Sequence, residues 1–212
     1  MQRVGGKTRT MTRLGLKHKI LLNKLVIEIG ELLTLYIRVQ NQRAKEAETV
    51  SSMFRKVNFK GIYITTQIVV KQCEEKERKL NSIKNAEYQC FSSFGKELFD
   101  CLYSYFSALH KSSKALSEIS LRQYLRSENK QELSFTENKR LHKEHSKSID
   151  QYLALAGKLN KLHSRLATEL GTDMAVLDNK LEKSVDLTED LDDKTYKRYQ
   201  EIIDNSYYTI KH

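Results

Sequence analysis

The chain runs for 212 residues without a single proline. At the usual frequency of about 5%, roughly ten would be expected in a chain this long. Proline stops helices and shapes turns, and the chain also holds only 8 glycines. Few of its residues therefore favour breaking a helix. With 30% charged and 39% apolar residues, the expectation is an all-α protein of long helices with few irregular connections. The same scarcity of turn residues argues against a β-sandwich, a barrel or a doubly wound α/β enzyme.

Charge narrows the partners. Lys and Arg outnumber Asp and Glu by 37 to 27, a formal net charge of +10. Such a balance favours an anionic membrane, an acidic protein or nucleic acid. Cys73, Cys90 and Cys101 are odd in number and form no C-x-x-C pair, so they read as free thiols in a reducing, cytoplasmic setting. Their apolar helical surroundings make them small core residues. The longest apolar stretch, Leu25 to Ile37, contains Glu28 and Glu31 and falls short of the ~20 residues a membrane span needs.

Along the chain, residues 1–13 form a basic, glycine-containing arm, and residues 14–212 form a single helical domain. The arm and its continuation carry Arg3, Lys7, Arg9, Arg13 and Lys17, and the first 27 residues hold no acid. A mitochondrial presequence shares that composition, but the strong helical pattern from Leu14 onward fits a folded element better. Leu25, Ile29, Leu32, Tyr36 and Val39 recur at steps of three and four, one face of an amphipathic helix that extends to about Phe59. Ile62–Val70 (IYITTQIVV) has strand propensity but no second strand to pair with, so it is expected to be helical or a crossing between helices. A second helix is expected from Ser82 or Asn85 through Phe94, Leu98 and Leu109 to Leu170. Unbroken, it would be a rod ~105–130 Å long. Gly171 ends it as a C-cap, and an acidic run (DLTEDLDD, 186–193) separates two further helical pieces.

No catalytic constellation emerges, and no cofactor or metal site. Gly6-Lys7-Thr8 lacks the leading glycine and strand of a P-loop. His142 and His145 lie one turn apart without a nearby third ligand, and two solvated histidines describe them better. Basic stripes are more informative. Arg122, Arg126 and Lys130 fall at i, i+4 and i+8, as do Lys139, Lys143 and Lys147, with Arg140 alongside; each set lies on one helix face. Interleaved glutamates can pair with part of this charge. Between Arg126 and Ser148 only Leu133, Phe135 and Leu141 are large and apolar, so this stretch has cations and little core to cover. The stripes lack the interleaved aromatics of a nucleic-acid stacking platform, and no nucleic acid is expected as the partner.

Two stretches carry a family resemblance. Phe94-Gly95-Lys96-Glu97-Leu98 resembles the F-G-x-E-L segment of endophilin-like BAR domains. Leu121-Arg122-Gln123-Tyr124-Leu125, the charged run from Glu128 to Lys147, and Ser148-Ile149-Asp150-Gln151-Tyr152 together resemble that family's second helix. The resemblance implies three long bent antiparallel helices per chain, paired into an elongated homodimeric crescent. It also implies a cationic face that senses or induces curvature in an anionic phospholipid membrane, with the protein peripheral to it. The dimer and core face would be Leu25, Ile29, Leu32, Tyr36, Phe94 and Leu98. Membrane contact would fall to Arg122, Arg126, Lys130, Lys139, Arg140, Lys143 and Lys147 plus the N-terminal arm. Two other functions remain open at this point: a helical scaffold for acidic proteins and a basic helical nucleic-acid binder.

Overall fold

A computed structural model describes residues 5–48, 57–128, 130 and 134–171, excepting the side chains of 5–14 and 44–48. Four helices account for nearly all of it: α1 (Gly5–Glu48), α2 (Phe59–Ala86), α3 (Ser93–Ser127) and α4 (Phe135–Leu170), with a 3₁₀ turn at Tyr88–Cys90 between α2 and α3. The all-α expectation holds. The helices pack antiparallel in succession, up, down, up and down. Lys79 meets Glu28 across α1 and α2, Tyr103 meets Asn81 across α2 and α3, and Lys158 meets Glu97 across α3 and α4. Lys19 near the start of α1 reaches Glu169 at the end of α4, 2.8 Å away, and closes the bundle.

Each helix exists for a local reason and is held for a tertiary one. In α1, Leu22, Leu25, Ile29, Leu32, Tyr36 and Val39 are all buried, the face that the three-and-four spacing marks. The segment Ile62–Val70 is helical despite its β-branched residues. Asn58 caps it by accepting the Gly61 N–H at 2.9 Å, and the Thr65 and Thr66 hydroxyls bond back to carbonyls of their own helix. Its β-branched residues lose up to ~0.7 kcal/mol each in helix propensity, but Ile64, Ile68 and Val69 are buried, and burial of such a side chain is worth ~1.5–3 kcal/mol. Burial wins.

The long rod is corrected. Residues 93–127 and 135–170 form two helices folded back on each other, the first ending at Ser127 and the second beginning at Phe135. The Lys130 N–H bonds to the Leu125 carbonyl and the Glu128 N–H to that of Tyr124, which closes α3 without glycine or proline. Ser134-Phe135-Thr136-Glu137 then has the S-x-x-E spacing of a helix start. The shortage of apolar residues after Arg126 thus marks a turn. The apolar faces assigned to a dimer are satisfied inside one chain: Leu25, Ile29, Leu32, Tyr36 and Leu98 are buried in the common core, while Phe94 is half-buried with the Arg165 guanidinium 4.3 Å over its ring. The basic arm is also continuous with α1, which is helical from Gly5. Arg3 and the acidic and tyrosine-bearing pieces after Gly171 lie outside the described residues.

Candidate functional site

The turn between α3 and α4 gathers the cations that sequence spacing places on a single rod. They are not equivalent. The Arg122 side chain is only 12% exposed and is held between Glu118, 3.0 Å away, and Glu137. Those carboxylates raise its pKa still further, the Glu137 hydrogen bond foremost, despite partial burial. It joins α3 to α4 and leaves the exposed stripe. Arg140 pairs with Glu144 at 2.6 Å, and Lys130 lies 3.8 Å from Glu128 and over the Tyr124 ring. Arg126, Lys139, Lys143 and Lys147 are exposed and make no ion pair among the described residues. Lys17, of the N-terminal set, is exposed as well.

Phe135, the first residue of α4, is 81% exposed, the most exposed large apolar side chain described. It stands at the same end of the bundle as Arg126 and Lys139. Spacing alone gives it no such prominence, because on an unbroken helix it would be one more apolar position. Only the turn puts it at a tip.

Farther along the bundle, α3 and α4 flank an open groove of about 510 Å³. Lys111, Lys114 and Lys147 line it with Glu118 and Glu144, over Ala115 and Leu141. Both carboxylates are engaged by arginines, Glu118 by Arg122 and Glu144 by Arg140. The three lysines make no ion pair among the described residues. Lys111 and Lys114 lie outside the sequence-derived stripes because they precede the region of low apolar content.

A third cluster is closed to solvent. The Tyr36 hydroxyl, on a residue 0% exposed, lies 2.5 Å from Ser112 Oγ, 2.8 Å from His145 Nε2 and 2.7 Å from Gln40 Nε2. The Gln40 amide nitrogen, which can only donate, also faces His145 Nε2 at 3.2 Å. That ring nitrogen is therefore the acceptor, Tyr36 donates to it, and Ser112 donates to Tyr36. Burial, with help from Arg43 and His142, lowers the His145 pKa to about 4, and burial raises that of Tyr36. The expectation of two solvated histidines is corrected for His145, while His142 is exposed. The arrangement resembles a proton relay in composition, but its hydroxyls, on Tyr36 and Ser112, are packed inside the bundle. It is a fold-specifying polar network.

Of the thiols, Cys73 and Cys101 are buried, as core residues should be, but Cys90 is exposed in the 3₁₀ turn. Burial pushes the Cys73 thiol up to about 11, which makes it a poor nucleophile. Among the described residues no three His, Cys, Asp or Glu side chains converge to hold a metal, and no helix is long and apolar enough to cross a membrane.

The motif that resembles endophilin-like domains has a local role. Gly95 donates its N–H to Ser92 Oγ at 3.1 Å, and a Cβ there would lie 3.3 Å from Phe91 Cβ and 3.4 Å from Leu22 Cδ1. Phe94–Leu98 is thus the capped, tightly packed start of α3. The chain matches no protein-family model, no curated protein and no solved structure.

Proposed function

We propose that the chain is a peripheral membrane-binding module that docks on anionic lipid through the α3–α4 turn. The observation that carries this reading is Phe135, 81% exposed at the head of α4, at the end of the bundle where Arg126 closes α3 and with Lys139 and Lys143 one and two turns further along α4; none of these three cations has an ion-pair partner among the described residues. An aromatic side chain entering the interface near exposed cations combines apolar burial with attraction to lipid headgroups. This is attachment by a tip. The curvature sensing or induction that the BAR resemblance implies would need a long concave cationic face, whereas the cluster at this turn is local to the end of α3 and the start of α4. The same reading treats the protein as a binding module rather than an enzyme, in keeping with a sequence in which no catalytic constellation emerges.

The test is vesicle flotation with anionic and with neutral lipid. Binding should require the anionic lipid and should weaken with salt, since exposed charges are screened beyond about 10 Å at 0.1 M. Replacing Arg126, Lys139 and Lys143 by Glu should cost about 3 kcal/mol at ~1 kcal/mol per cation, a loss of about a hundredfold. Phe135→Ser should cost about tenfold by itself. Unchanged flotation of the charge-reversed, folded variant would remove the assignment. Equal indifference to anionic and neutral lipid would turn attention to an acidic protein partner.

A further inference from the structure

From the groove between α3 and α4 we infer an internal docking surface whose occupant is the chain's own acidic segment, residues 186–193. Such docking is independent of lipid binding. Three ammonium groups, Lys111, Lys114 and Lys147, rim an open groove of about 510 Å³, and the two glutamates that share the groove are already engaged by Arg122 and Arg140. Among the described residues the rim is therefore an uncompensated cationic surface over an apolar floor of Ala115 and Leu141. What fits it is a segment that is both acidic and amphipathic.

Residues 186–193 (DLTEDLDD) have that chemistry. Asp186, Glu189, Asp190, Asp192 and Asp193 supply five carboxylates in eight residues, and Leu187 and Leu191 are spaced i, i+4 for the floor. It is the densest acidic run in a chain of net charge +10.

Reach agrees with chemistry. α4 ends at Leu170, and Lys147 lies 24 residues before Gly171, ~36 Å back along the helix. The 15 residues from Gly171 to Asp186 span up to ~50 Å when extended, and the 22 residues to Asp193 span ~33 Å even if wholly helical. An extended connection therefore brings the whole acidic run level with the lysines, while a wholly helical one brings only its end, at Asp193, close to Lys147. Charge complementarity at such a groove also raises the local concentration of a tethered partner, because the linker makes the encounter intramolecular.

Zero-length carbodiimide cross-linking of the full chain, followed by peptide mapping, tests this. The ion pairs Lys158–Glu97 at 3.0 Å and Lys19–Glu169 at 2.8 Å serve as internal positive controls. Cross-links are expected from Lys111, Lys114 or Lys147 to the acids at 186–193, within one chain when labelled and unlabelled chains are mixed. Added salt should reduce them several-fold while the two controls persist. Substituting Asn or Gln for the five acids alters no described helix, and its folding is checked by circular dichroism. The expected result is loss of those links together with at least a several-fold rise in reactivity of the three lysines toward an acylating reagent. The proposal is overturned if the controls link and the groove lysines do not, if the links form only between chains, or if lysine reactivity is the same in the neutralised variant.

Discussion

Tyr36 is the residue on which the interior polar chemistry turns. Its hydroxyl is the common partner of Ser112, His145 and Gln40, so removing that one oxygen leaves three buried or half-buried polar groups short of a hydrogen bond. Tyr36→Phe should lower stability by ~1–3 kcal/mol, the cost of an unsatisfied buried polar group, as read by urea denaturation at pH 7. His145 adds a pH dependence. Burial first, then Arg43 and His142, lowers its pKa to about 4 from an ordinary value near 6.5. Between those values the unfolded chain binds more protons than the folded one, so unfolding free energy falls as pH drops. The contribution is fully present above pH ~6.5 and is lost towards pH 4, by up to about 3 kcal/mol at 1.36 kcal/mol per pH unit. His110, His142 and His163 are lowered by burial too and act with the same sign. At His110, burial outweighs the nearby Glu77 carboxylate: Nδ1 faces Glu77 at 3.5 Å while Nε2 is buried without a partner, the pattern of a neutral ring. Replacing His145 with Gln, which cannot titrate, should flatten the stability curve between pH 4 and 6.5; an unchanged slope would mean that the other three histidines carry it. None of this was legible in the sequence. Tyr36 read as one more core position, and the histidine spacing could not reveal that a tyrosine 109 residues away would meet His145.

At the scale of the element, helix ends decide the architecture, and they obey chemistry that sequence patterns show in part. Gly171 closes α4 with φ +65° and ψ +25°, its N–H directed to the carbonyls of Ala167 and Thr168. This left-handed C-cap was legible because a lone glycine ended a long periodic run. Gly157 sits inside the same helix, where an added Cβ would meet nothing within 4 Å. The same substitution at the two sites should therefore have opposite signs. Gly171→Ala should lose ~1–2 kcal/mol through the left-handed backbone, while Gly157→Ala should gain up to ~1 kcal/mol of helix propensity. Paired thermal melts compare them directly, and a melting temperature that moves the same way in both would refute the cap. The break between α3 and α4 was missed because its signal was weak. Ser134-Phe135-Thr136-Glu137 has capping-box spacing, yet Glu137 turns away to Arg122 and the Ser134 side chain caps nothing. The start of α3 shows the stronger version, with Ser92 Oγ taking the Gly95 N–H at 3.1 Å.

For the whole molecule, the contest is between a rod and a bundle, and local rules cannot settle it. Absence of proline permits a continuous helix but does not require one, since backbone N–H groups at 128 and 130 close α3 on its own carbonyls. Leu98, Phe99, Leu102, Phe106, Leu109 and Leu116 are each no more than 2% exposed, and a lone rod would leave that face in water. Sequence periodicity marks Leu98, Leu102, Leu109 and Leu116 of this face but not Phe99 or Phe106. It could not say whether α1, α2 and α4 of the same chain or a second copy would cover it, because contacts such as Asn23 with His163 join residues 140 positions apart. Folding back also changes what the charge can do. Arg122 becomes a strut between helices, Lys147 joins Lys111 and Lys114 across a groove, and Arg126 and Lys139 lie at the end of the bundle that carries Phe135. A distance measurement separates the two architectures. Fluorophores at Glu97→Cys and Lys158→Cys, in a Cys90→Ser background that removes the exposed native thiol, replace an ion pair at 3.0 Å. On an unbroken helix those positions would be ~92 Å apart, beyond the range of resonance energy transfer. The bundle predicts near-complete transfer in a single chain, undiminished when labelled protein is diluted with unlabelled protein; transfer that disappears on such dilution would mean that the contact forms between two chains, as the paired rods of a dimer would make it.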